Sequence, residues 1–248
     1  MGSRGFELND EVISTDIFVA DASVSTRASF LVKTYLHLLG AIAAFILLEA
    51  TALVLFADSV KPLMEIMVRT PVSWLVVLGL FMGASWIAEV WANNATNKVM
   101  QYIGLGLYVV AEAIIFLPIL FIASNYYDGV ILMAGGSTVA LTLVLTAVVF
   151  ITRKDFSFLR SVLIFGGIAA MGAIVIGAFC GPVGGFISGP VFTYLMIAFA
   201  CCAILYDTSN IMLNYRTDQY IAASLSLFAS VALLFWYMLR LYMAFQRD

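Results

Sequence analysis

The sequence predicts an all-α polytopic membrane protein, built as one bundle of seven transmembrane helices, and three observations carry that prediction. Of the 248 residues, 63% are apolar and 11% are charged, with a mean hydropathy of +1.05, whereas a soluble domain of this length needs far more polar surface. A membrane span takes ~20 mostly apolar residues, and seven stretches reach that length: Leu31–Phe56, Val72–Trp91, Val99–Ala123, Gly129–Ile151, Leu159–Cys180, Pro190–Leu213 and Tyr220–Phe245. Their connections are short and leave no room for a separate soluble domain. Residues 1–29 therefore read as a polar tail and residues 30–248 as a single transmembrane domain.

Charge and cysteine usage exclude some functions. The net charge is −3, and the 12 basic residues form no cluster, so nucleic acid is not an expected partner. Cys180, Cys201 and Cys202 all fall within spans, and an odd number so placed argues against a disulfide framework. They read as small packing residues, and the spacing of a zinc site is absent.

The tail, Met1 to Ser29, carries Glu7, Asp10, Glu11, Asp16 and Asp21. The apolar run after it is too long, and too far from the terminus, for a cleavable leader. Met1-Gly2 invites a myristoylation reading, which Phe6 at the position requiring Ser or Thr rejects. The first span holds the only histidine, His37, near its entry, and Glu49 near its far end. His37 reads either as a satisfied interfacial histidine or as a proton relay, since histidine titrates near neutrality. Glu49 is close enough to the end to reach the interface. The loop from Ala57 to Pro71 is amphipathic and suits the membrane surface.

The second span ends in GASWIAEVWANN, which sets Glu89 near its exit. The third contains Glu112 about midway and then Pro118, which kinks a helix or frees a carbonyl. A mid-span acid is a functional candidate unless a neighbouring helix bonds it. The fourth span opens with AGGSTVALT, small residues that let helices approach closely. The most basic loop follows, TRKDFSFLR, with Arg153, Lys154 and Arg160. The fifth span finishes at CGPVGGFISGP, Cys180 to Pro190, which cannot continue a regular helix and reads as a tight turn or a partly re-entrant loop.

The last two spans fold about the polar turn NYRTDQ, Asn214 to Gln219. Asp207 lies in the first arm and Ser230 in the second, about equally far from the centre of the turn, so an antiparallel hairpin sets them nearly level. A carboxylate at membrane depth costs roughly 2.5–3.5 kcal/mol on insertion scales, which makes Asp207 the leading functional candidate. With seven spans, the tail and the even-numbered loops share one side and hold Arg4, Arg27, Lys98, Arg153, Lys154, Arg160 and Arg216. The other side holds Lys61, Arg69 and Arg247, with Arg240 near the end of the last span. The positive-inside rule then puts the N-terminus in the cytoplasm and the C-terminus outside. No Walker loop, HExxH, GxSxG or dinucleotide fingerprint is present, and His37 with scattered carboxylates is too little for an enzyme.

The stretch LYDTSNI, Leu205 to Ile211, with the SLSLFASVALLFWYMLRL that follows, resembles the transmembrane Bax inhibitor motif family. FLVKTYLHLLGA at Phe30 to Ala41, GGST at Gly135 to Thr138 and KDFSFL at Lys154 to Leu159 support the resemblance, which covers Phe30 to Phe245. It implies seven helices with the last one central, and a calcium leak gated by pH through two aspartates that share a proton. Two close carboxylates cannot both ionise cheaply, so sharing is physically sound. Asp207 matches the first aspartate. The second belongs in the family's LSLYLD, which aligns with LSLFAS and lands on Ser230, while the family's partnering arginine aligns with the neutral stretch Trp91 to Ala95. Glu89 on another helix is then the candidate second carboxylate, and Glu112 a continuation of the polar path.

Two function classes follow. In the first, the bundle leaks calcium past Asp207, Glu89 and Glu112. Calcium needs several oxygen ligands, and these acids with Ser230, Thr208 and backbone carbonyls are the available set, Asp207 foremost. In the second, the chain regulates another membrane protein, as bacterial relatives do with a membrane AAA protease, and the acidic tail suits such a contact. The lipid bilayer and calcium are thus the expected partners, and no resident cofactor is expected. The resemblance and the lack of a leader point to a bacterial inner membrane.

Overall fold

The computed structural model describes residues 17–94 and 96–246; Arg4, Glu7, Asp10, Glu11, Asp16, Ala95 and Arg247 lie outside the described residues. Nine helices follow in order among them: α1 (Val24–Val54), α2 (Ala57–Val68), α3 (Pro71–Ala92), α4 (Lys98–Tyr126), α5 (Val130–Thr152), α6 (Leu159–Phe179), α7 (Gly181–Ser188), α8 (Pro190–Leu213) and α9 (Tyr220–Phe245). Seven of these, all but α2 and α7, are long and apolar enough to cross a membrane. The fold class is the one the hydropathy pattern predicts.

Helix boundaries follow local chemistry more closely than hydropathy does. α1 begins at Val24, inside the stretch read as tail, because the Ser23 hydroxyl accepts from the Thr26 amide at 3.3 Å and caps the helix. Thr70 caps α3 in the same way, with Pro71 in the first turn where its missing N–H is harmless. Asn97 caps α4. The segment after the first span is the short helix α2, which buries Met64 and Met67 and packs on α1, α3 and α4. α4 runs unbroken past Pro118, so the Ile114 carbonyl loses its intrahelical donor without ending the helix. The segment from Cys180 to Pro190, read as a tight turn or a partly re-entrant loop, is mostly helical. It forms α7, which folds back on α6 so tightly that a Cβ on Gly184 would sit 2.7 Å from the Gly177 carbonyl oxygen.

α9 packs against α1, α3, α4, α5 and α8 and is the most buried span, closely followed by α4. The last helix is thus central, as the resemblance implied, with α4 buried beside it. α6 lies at the periphery, with no residue of its most apolar stretch buried. Lipid removes the usual hydrophobic drive between helices, so close packing and polar contacts must hold the bundle. An aromatic knot supplies much of that packing. Phe116 of α4 stacks on Phe235 of α9 (centroids 5.6 Å), meets Phe45 of α1 edge-on (5.1 Å), and lies against Trp236, which stacks on Trp74 of α3.

Polar contacts pin both ends. At the end where α1 and α9 begin, the Val19 amide donates to the Tyr215 carbonyl (2.9 Å) and the Thr217 amide to the Ile17 carbonyl (3.2 Å). Residues just ahead of α1 are therefore bonded to the turn between α8 and α9. Lys98 donates to the Asp218 carbonyl (2.7 Å) at the same end. At the other end, the hydroxyls of Ser137 and Tyr242 bond at 2.6 Å, which ties the GGST stretch of α5 to α9.

Candidate functional site

The α8–α9 hairpin brings Asp207 and Ser230 together, as their equal distance from the turn predicts. Ser226 and Ser230 lie one turn apart on one face of α9. The Ser226 hydroxyl donates to Asp207 Oδ1 at 2.9 Å and the Ser230 hydroxyl to Asp207 Oδ2. Asp207 is buried, on the same face of α8 as the fully buried Ile204 and Ile211. Two neutral donors satisfy part of each oxygen and leave lone pairs for a further ligand or proton.

Two cavities flank this cluster. The smaller, about 340 Å³, is lined by Glu89, Asn93, Ser85, Tyr215 and Ser226 among others. The larger, about 930 Å³, runs between α3, α4, α6, α7 and α8 with α9 at its back, and its polar lining includes Glu112, Ser230, Thr193 and Arg240. Phe81, Met82, Tyr108 and Ala229 belong to both linings, so the cavities adjoin across a wall made of those side chains. Ser226 faces the smaller and Ser230 the larger. The Asp207 carboxylate, which lines neither cavity itself, thereby has one donor facing each.

Glu89 is exposed in the smaller cavity, within electrostatic reach of Asp207 but not hydrogen-bonded to it. In the turn outside the spans, burial and the nearby Asp207 carboxylate push the Tyr215 phenol up to about 12. Glu112 is buried at mid-helix, with Tyr108 one turn earlier on the same face.

Three candidates lie elsewhere. Glu49 is buried in α1, lines neither cavity, and neither carboxylate oxygen has a hydrogen-bond partner. His37 sits at the bundle end: Nδ1 donates to the Lys33 carbonyl (2.7 Å), which leaves Nε2 to accept from the Tyr102 hydroxyl (3.0 Å), and its ring packs on Tyr220 (5.0 Å). That is a satisfied interfacial histidine. Thr208 is fully buried but points toward Tyr35 of α1, not toward α9. Among the described residues no three His, Cys, Asp or Glu side chains cluster closely enough to hold a metal ion. A cation at Asp207 would have to draw on hydroxyls and carbonyls beside it.

Comparison with known proteins bears on the same residues. The model of the family described as inhibitor of apoptosis-promoting Bax1 matches residues 27–247. The chain belongs to the Bax inhibitor family. It is also 26% identical over 229 residues to the Golgi anti-apoptotic proteins of vaccinia virus strains Lister and LC16m0, covering 90% of this chain and 88% of theirs. In this member of the Bax inhibitor family two of the short motifs meet in space. The Phe156 amide of KDFSFL donates to the Ser209 hydroxyl of LYDTSNI at 3.1 Å, and that hydroxyl donates to the Lys154 carbonyl at 3.4 Å. Ser209 therefore pins the α5–α6 loop to α8, two residues from Asp207.

Sequence reasoning missed Ser226, Tyr108, Tyr215 and Arg240 as parts of the site. Only Ser226 had a legible signal, its spacing of four from Ser230 on a helix already expected to face Asp207.

Proposed function

We propose that this chain is a calcium leak whose route runs from the Glu89 cavity, past Asp207 and Tyr108, to Glu112 and the larger cavity. The observation that carries this reading is that the two cavities adjoin across one thin wall, with one of the two serine donors of Asp207 facing each. A hydrated cation passing a narrow point needs oxygen ligands that bind it weakly enough to let go. One carboxylate and two hydroxyls suit a transient site better than a tight one. Ser230 stands where the resemblance places a second aspartate, so proton sharing would fall to Asp207 with Glu89.

Calcium entry into proteoliposomes loaded with an indicator, measured at pH 6 and pH 8, tests the reading. The parent should show flux above empty liposomes, with a difference between the two pH values. Asp207→Asn should lower it by roughly tenfold, about 1.4 kcal/mol of barrier. Flux indistinguishable from empty liposomes would overturn the leak, and an unchanged pH response in Glu89→Gln would remove Glu89 from the proton-sensing role.

A second reading has one observation in its favour: the viral relatives are named for an anti-apoptotic effect, a regulatory outcome. On that reading the chain modulates another membrane protein, a membrane AAA protease in a bacterial setting, through its amino-terminal tail. Deleting residues 1–16 separates the two, since a leak keeps its flux and an adaptor loses its partner. The location that fits the first reading is a bacterial inner membrane with the N-terminus in the cytoplasm, where Arg27, Lys98, Arg153, Lys154, Arg160 and Arg216 would share the cytoplasmic side. The viral relatives' name points instead to the Golgi, and fractionation of tagged protein decides between them.

A further inference from the structure

Arg240 stands at one end of the larger cavity, one and a half turns before the end of α9. It donates from Nη2 to the Ile187 carbonyl (2.8 Å) and lies against Tyr237, 5.5 Å from the ring centre and within reach of the phenol. No carboxylate comes within salt-bridge distance of it among the described residues. A guanidinium has five N–H donors in a planar fork that matches a carboxylate edge to edge, so most of its bonding capacity here is unspent.

The rest of the cavity is mostly apolar. Trp74, Phe116, Ile119, Trp236 and Ala170 form much of its wall, and among the described residues Glu112 is the one carboxylate lining it. Phe116 stacks on Phe235, so Glu112, one turn earlier, is level with the stretch from Ser230 to Ala232 and lies about 12 Å along the bundle from Arg240. Glu112 and Arg240 both line this cavity of about 930 Å³, and the wall between them is largely aromatic. Sites of that size bind small ligands through apolar walls and a few placed polar groups.

We propose that this cavity binds a single-chain anionic amphiphile, a fatty-acid carboxylate, with its head paired to Arg240 and its chain along Trp236, Trp74 and Phe116. Charge complementarity sets the orientation, because the head meets the cation at the bundle end and the chain lies on apolar wall. One planar fork matches one carboxylate. The site does not depend on whether the chain conducts calcium, and its test reads binding alone.

The probe is cis-parinaric acid, a fluorescent fatty acid that accepts energy from tryptophan, added to the purified full chain in zwitterionic nanodiscs. Trp74 and Trp236 line the cavity, so binding should give saturable energy transfer. Dodecanoate should compete it away, whereas dodecanol and the methyl ester should not. Arg240→Gln should weaken binding at least tenfold, and Ala170→Phe, which fills part of the cavity without touching Arg240, should abolish the saturable component. Transfer that does not saturate, equal competition by dodecanol, or parent-like affinity in a folded Arg240→Gln would overturn the proposal. Competition by two-chain phosphatidylglycerol as strong as that of dodecanoate would overturn the single-chain assignment. If Arg240→Gln fails to fold, the competition series on the parent decides the matter.

Discussion

Two serine hydroxyls hold the Asp207 carboxylate, and removing either leaves one buried oxygen without its donor. A buried group stranded in that way costs about 1–3 kcal/mol. Ser226→Ala and Ser230→Ala should each lower the thermal midpoint in detergent. The double variant should depart from the sum of the two, because both serve one side chain; strict additivity would show that they act independently. Tyr215 gives a pH signature at the same scale. Its phenol ionises near 10 in an unfolded chain and at about 12 here, so its stabilising contribution is whole below pH 10 and lost as pH rises from 10 to 12. Unfolding measured against Tyr215→Phe should show the parent losing on the order of 2 kcal/mol across that window relative to the variant. A constant difference would place the phenol in water. Asp207 and Ser230 could be matched from sequence because the hairpin fixes their level. The direction Thr208 faces could not, because it turns on which neighbours surround α8.

At the scale of elements, two spans approach closely at Gly104, where an added Cβ would lie 2.6 Å from both the Ala88 carbonyl oxygen and the Ala92 amide nitrogen. Backbone atoms cannot yield as a side chain can, so Gly104→Val should force α3 away from α4 and destabilise the chain by about 1–3 kcal/mol. A thermal midpoint equal to the parent's would mean that α3 is free to slide. The spans themselves were legible because a run of ~20 apolar residues has few other uses. The start of α1 was not, since hydropathy reports what enters lipid, whereas Ser23 reports where the backbone begins to coil. α7 escaped for a related reason: its glycines read as breakers, yet Gly184 serves to seat one helix against another.

For the molecule as a whole, the decisive object is the wall of Phe81, Met82, Tyr108 and Ala229 between the two cavities, which belongs to no single helix. Replacing Tyr108 with Ala should merge the two cavities and raise calcium flux by roughly tenfold, about 1.4 kcal/mol off the barrier. Unchanged flux would place the route elsewhere. Nothing in the sequence announces such a void, because cavities arise from how α3, α4 and α9 lean on one another. The same whole-molecule view changes the meaning of the bonds from Ile17 and Val19 to Thr217 and Tyr215. They make the start of the chain a mechanical handle: a load applied ahead of Ile17 passes through two main-chain bonds into the α8–α9 turn before it reaches α1. Such a pull would bear on the turn that keeps Asp207 level with its serines.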